Sequence, residues 1–218
     1  MEDDFGTVPD GVSTLEDWAA LARDRLDPAV LANLTGHACD GVTARRNREA
    51  YLAAEIVPRV LLDRPSSDAG VTLLGRRIAA PVLVAPVAHQ GLHHRLAERA
   101  TAMAASAVDT IFVASTLSTL SLEEIRTAAD GGGQWFQLYV QPDRGFTDAL
   151  VDRAETAGYE ALVITVDAPV AGVRDVERRA GFRLPAGLAP AKLAGAPAIV
   201  GDGSLAALLA HRPTPTEI

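Results

Sequence analysis

Four runs of nearly unbroken apolar residues recur along the middle of the chain. They read PVLVAP (81–86), TIFVAS (110–115), QWFQLYV (134–140) and ALVITVD (161–167). Between them lie RLAERATAMAASAV, SLEEIRTAAD and GFTDALVDRAETAG, with apolar positions at helical spacing and a capping box from Ser121 to Glu124 in the second. Successive strand starts are 24 to 29 residues apart, the length of one βα unit. Continuous rather than alternating apolar strands predict a parallel sheet covered on both faces or closed into a barrel.

The flanks read differently. Residues 1–80 predict a helical lead-in: STLEDWAALARDRL with a capping box from Ser13 to Glu16, then TARRNREAYLAAEI capped by Thr43. VTLLGRRI follows as a short hairpin turning at Gly75. Residues 168–218 are rich in Ala, Gly and Pro, with one short helical stretch near SLAALLAH. So long a connection reads as a partly disordered lid loop. The expected organisation is a lead-in over 1–80, four strands over 81–167 and a lid over 168–218.

A nucleotide-binding open sheet would carry G-x-G-x-x-G after its first strand. Here that connection is APVAHQGLHHR, and the glycine cluster Gly131–Gly133 precedes a strand instead. The carboxyl ends of the four strands are more informative. They carry Pro86 to Gln90, Ser115 with Thr116 and Ser118, Gln137 with Tyr139, and Thr165 with Asp167. Polar groups on one rim of successive parallel strands favour a (β/α)8 barrel with its active face there.

Composition removes several classes. The 218 residues are 48% hydrophobic and 22% charged with a net charge of −8, which opposes nucleic-acid binding. No stretch is long and apolar enough to span a membrane. The lone Cys39 allows no internal disulfide and fits a reducing compartment, so a cytoplasmic location is expected. Asp167 is the only acid at a strand end, against the paired carboxylates of glycoside hydrolysis. The single lysine, Lys192, falls in the loop rather than in a strand, against Schiff-base chemistry. His89, His93 and His94 lack a nearby thiolate or carboxylate, and no metal site is expected. Ser115, Gln137, Thr165 and the phenol of Tyr139 remain, a set suited to a flat, polar, uncharged heterocycle. Ser115 and Thr165 could equally cap strand ends. Gln137 is harder to treat as packing, since an unpaired buried amide costs roughly 1–3 kcal/mol.

APVAHQGL, VASTLSTLSLEEI, WFQLYV and VITVDAPVAGVRDVERRAGFRLP, with NREAYLAAEIVPRVLLD before them, resemble consecutive motifs of the FMN-dependent α-hydroxy acid dehydrogenase/oxidase family. That family includes glycolate and lactate oxidases and mandelate dehydrogenases, and the APVA and TLS forms are most similar to its hydroxymandelate oxidase branch. The resemblance implies FMN, with the backbone of Ala85, Pro86, Val87 and Ala88 beside the flavin ring and Ser115, Gln137 and Thr165 bonded to its polar edges. It implies that Tyr139 faces the substrate hydroxyl, that Asp167 orients a histidine base on a later strand, and that Arg174 reaches the substrate from the lid.

The chain departs from the family pattern in places. VLANLTGHA lacks the lead-in tyrosine that binds the substrate carboxylate, HHRLAE replaces a histidine-proline-glutamate-glycine turn, and Leu117 stands where a large residue is frequent. The family's strands five to eight, with their lysine, histidine base, arginine and phosphate loops, have no counterpart here. The expected function is FMN-dependent oxidation of a small 2-hydroxy acid to the 2-oxo acid, as the N-terminal part of such an enzyme. The alternative is a non-catalytic half-barrel acting as an interaction subunit or remnant. Either way a homo-oligomer, or a complementary chain supplying strands five to eight, is the expected partner.

Overall fold

The computed structural model describes residues 8–61, 68–167 and 171–195. In chain order its elements are α1 (Leu15–Arg25), α2 (Pro28–Thr35), α3 (Val42–Leu52), β1 (Val71–Leu73), β2 (Arg76–Ile78), α4 (Glu98–Ala107), β3 (Ile111–Ser115), α5 (Leu122–Ala128), β4 (Gly133–Leu138), α6 (Arg144–Thr156), β5 (Ala161–Ile164) and α7 (Asp175–Arg179). The chain divides into two compact units. One joins the residues up to Arg48 to Gly172–Arg183, and the other joins Glu49–Ala171 to the chain from Leu184 onward.

In the first unit, α1 starts one residue later than its sequence suggested. Thr14, in extended backbone, accepts from the Asp17 N–H, and the Asp17 carboxylate accepts from the N–H groups of Ser13 and Thr14. The capping box is therefore Thr14 to Asp17, not Ser13 to Glu16, because aspartate at the third helical position closes the same ring. Asp27 caps α2 with Pro28 in its first turn, where the missing proline N–H costs nothing. α3 begins at Val42, so Thr43 lies inside the helix instead of capping it. α2 packs on α7.

The second unit is built on parallel strands. β3 pairs with β4, Ile111 opposite Gly133 through Ser115 opposite Gln137. β4 pairs with β5, Trp135 opposite Ala161 through Leu138 opposite Ile164. The expected strand over 81–86 shrinks to one bridge. Val84 donates to Ile111 O and accepts from Val113 N, at 2.9 and 3.0 Å. Pro81 and Pro86 have no N–H to lengthen the ladder. Among the described residues the sheet is open, a partial barrel.

Burial follows from the connections. β3 is buried along its length, and Phe112, Ala114, Phe136 and Leu138 join Leu122, Ile125, Leu150 and Ala154 of the helices in one core. Phe136 meets Tyr159 edge-on at 6.2 Å. The antiparallel β1–β2 hairpin turns through Leu74 and Gly75, both at positive φ, as a two-residue hairpin of right-handed twist requires. Its Ile78 is fully buried, and Arg76 pairs with Glu160.

The anticipated lid is described over residues 171–195. Its first part, Gly172–Arg183, belongs to the first unit and forms α7, while Leu184–Gly195 belongs to the second. There it makes two single 3-10 turns, Ala186–Leu188 and Ala191–Leu193. The helix expected near SLAALLAH lies outside the described residues.

Candidate active site

The register that sets Ser115 opposite Gln137 builds the site. Gln137 Oε1 accepts from Ser115 Oγ at 3.3 Å and from Thr116 N at 3.1 Å. Its Nε2 donates to Thr165 Oγ1 at 2.9 Å. One amide thus links the carboxyl ends of three adjacent strands. Ser115 and Gln137 are buried and Thr165 is half-buried. Thr116 holds the layer beneath, donating to Gln137 O at 2.7 Å and accepting from Tyr139 N at 3.0 Å. After β3 the chain turns at once: Leu117 N donates to Ser115 Oγ, and the Ser118 N–H and hydroxyl both donate to Ser115 O.

These bonds leave the Thr165 hydroxyl hydrogen and one Gln137 amide hydrogen to donate. Neutral donors in a half-dry rim fit the carbonyl and ring-nitrogen acceptors of a flat heterocycle such as a flavin. The set contains no charge to suit a metal. Among the described residues no group of His, Cys, Asp or Glu is placed to hold a metal ion.

Tyr139 stands half-buried at the end of β4. Burial raises its phenol above the ordinary value, and the negative charge of Asp167 raises it further. The hydroxyl therefore stays protonated, a donor at neutral pH. Asp167 is exposed. Ala85, Pro86 and Val87 are exposed beside the first-strand bridge, and Ala88 packs on the core. His89 bends the chain at a positive φ, and its N–H donates to Leu117 O at 3.0 Å. The turn after the first strand is thereby tied to the turn after β3.

Arg174 belongs to the first unit. Its guanidinium donates to the carbonyls of Asn33 and Gly36 and pairs with Glu177 at 3.1 Å, while Asn33 Nδ2 donates to the same carboxylate. The next arginines, Arg178 and Arg179, are exposed, and Arg178 pairs with Asp175 at 3.5 Å.

Two buried ionisable residues escaped the sequence reading. Glu98, at the start of α4, is fully buried. It accepts from Gln90 N and Thr119 N at 3.1 and 2.8 Å and from Leu120 N at 3.1 Å. Lys192 is also fully buried and donates to Leu120 O at 3.0 Å. Burial lowers its ammonium to about 7, against the pull of the Glu98 charge. A signal existed: the only lysine of an arginine-rich chain sits in the apolar GLAPAKLAG. Burial also lowers the half-buried His93, with Glu98 opposing.

Comparison with known proteins identifies the family. The sequence model of a family described as FMN-dependent dehydrogenase matches residues 22–204. An L-lactate oxidase of Nostoc sp. is 43% identical over 182 residues, covering 82% of this chain and 50% of that protein. Glycolate oxidase 1 of Oryza sativa subsp. indica is 37% identical over 80% of this chain and 47% of its own length. A crystal structure of mandelate oxidase superposes with a TM-score of 0.79 at 39% identity, covering 83% of this chain and 52% of that one. The chain spans about half the length of the curated relatives it matches.

Proposed function

Because the chain belongs to the FMN-dependent dehydrogenase family, we propose that it forms the N-terminal half of a barrel that oxidises a small 2-hydroxy acid to the 2-oxo acid. The single observation carrying this reading is the Ser115–Gln137–Thr165 bond chain across three strand ends. When bound, FMN supplies the two-electron acceptor, while the substrate gives up its α-hydrogen and hydroxyl proton.

The protein's own groups do the rest. Ser115, Gln137 and Thr165 would hold the polar edges of the ring, with the backbone from Ala85 to Ala88 beside it. The Tyr139 hydroxyl donates to the substrate oxygen as charge develops there, an arrangement that stabilises a transition state without reorganisation. Asp167 orients a histidine base contributed from outside the described strands. Among the described residues no helix is long and apolar enough to cross a membrane.

A second reading, a non-catalytic half-barrel that docks on a partner, draws support from β5. Leu162, Ile164 and Val166 stand at alternate positions and are 40%, 49% and 75% exposed. Both readings share this partner surface, met by a second copy or by a chain supplying the remaining strands.

Titration of the chain with FMN, followed by flavin fluorescence, tests the proposal. The expected result is weak binding alone and tight binding on co-expression with a chain carrying the second half of the barrel, with Gln137→Leu abolishing both. Equal binding by wild type and Gln137→Leu would overturn the flavin assignment and favour the docking reading.

A further inference from the structure

Glu98 and Lys192 lie outside the rim site, yet they hold the turns that carry it. Glu98 alone gathers three backbone N–H groups from two turns, Gln90 after the first strand and Thr119 and Leu120 after β3. A fully buried carboxylate persists only where such donors replace water. Lys192 then takes the carbonyl of that same Leu120.

The rest of its segment follows it inward. Leu193 is buried in the core cluster. A Cβ placed on Gly91 would lie 2.9 Å from both Leu188 Cδ2 and Thr119 Cγ2, so a larger residue there would have to displace the side chains where the segment crosses the first turn.

We propose that Lys192 and Glu98 are positioning residues, Glu98 setting the two rim turns and Lys192 fastening residues 184–195 onto the turn that carries Ser115. The fastening stands on these contacts alone, and its value to flavin binding rests on the function proposed above.

The pair responds to pH in an unusual direction. Four charged groups face the ammonium: Glu98 from α4, Glu123 and Glu124 from α5, and Arg153 from α6. The three carboxylates favour the charged lysine, while Arg153 and burial oppose it, and burial is the largest influence. A lysine lowered to about 7 when docked and free to regain its ordinary value of 10.5 when released binds more protons in the released state. Docking therefore tightens as pH rises between those values. An ordinary surface ion pair would loosen instead.

Amide hydrogen exchange on the 218-residue chain, corrected for intrinsic rates, tests this without flavin. Protection at Leu188, Leu193 and Ala194 is expected to rise roughly ten- to hundredfold from about pH 6 to about pH 9. Lys192→Met, which keeps the apolar stem, is expected to lose the pH dependence while the Thr119 and Leu120 amides stay protected by Glu98. Lys192→Arg, charged throughout, should leave the segment loose at both pH values and serves if the Met variant fails to fold. Protection that falls with rising pH in the wild type, or a rise retained in either variant, would overturn the proposal. Failure of FMN to bind would sink the flavin assignment and leave this result standing.

Discussion

Gln137 on β4, which lies opposite Val163 in the ladder, donates its side-chain amide to the hydroxyl of Thr165, the residue just past the end of β5. With Oε1 held by Ser115 and Thr116, the amide has a fixed orientation. A single residue therefore decides whether three strand ends present one coherent set of donors.

Gln137→Leu is expected to lower stability by about 1–3 kcal/mol, because the buried Ser115 hydroxyl and Thr116 N–H lose their acceptor. Urea denaturation measures it. Gln137→Glu tests the same point differently: a buried charge there should be disfavoured and shift the transition with pH.

Phe136→Ala should cost about 3–5 kcal/mol. The ring is fully buried and edge-packed on Tyr159, and it lies between the sheet and its helices. A midpoint shift much smaller than this would mean that the sheet face repacks around the gap.

Tyr139 should titrate late in the folded chain. Its raised phenol binds a proton that the unfolded chain releases near 10, so its contribution to stability is full below that pH and is lost as pH climbs through the folded value. Asp167→Asn should bring the titration to lower pH. Tyrosinate absorbance, assigned with Tyr139→Phe, checks the direction, and no change on Asp167→Asn would separate the two residues.

The apolar face of β5 should drive association. Ile164→Lys or Leu162→Lys is expected to shift sedimentation toward smaller species, since these side chains are exposed on a strand paired on only one edge among the described residues. Unchanged sedimentation would place the contact elsewhere.

Ser121 offers a local control. Its hydroxyl accepts from Glu124 N, and the Glu124 carboxylate accepts from Ser121 N. Ser121→Ala should cost about 0.5–2 kcal/mol, measurable by denaturation without any effect on flavin titration.

Much of this was legible in one dimension. The apolar runs at 110–115, 134–140 and 161–167 carry β3, β4 and β5, and of these β3 is buried at every position. The Ser121 box marked α5, and Ser115, Gln137 and Thr165 were visible as polar residues at the ends of those runs. Boundaries were less legible. Ser13–Glu16 and Thr14–Asp17 both satisfy the capping pattern, and only backbone geometry chose the second. The run at 81–86 read as a full strand, whereas the missing N–H groups of Pro81 and Pro86 leave Val84 as a single bridge.

By itself, the order of residues determined the parallel βα organisation, the polar rim and the kind of ligand it could accept, since those depend on periodicity and side-chain type. Only the tertiary structure decided which polar groups satisfy one another. It gave Arg174 to the carbonyls of Asn33 and Gly36 and buried Glu98 and Lys192 against Leu120. Such placements depend on contacts between residues far apart in the chain. A buried charge is tolerated only where those distant segments bring donors and acceptors to replace water, and no local pattern of apolar and polar positions records that meeting.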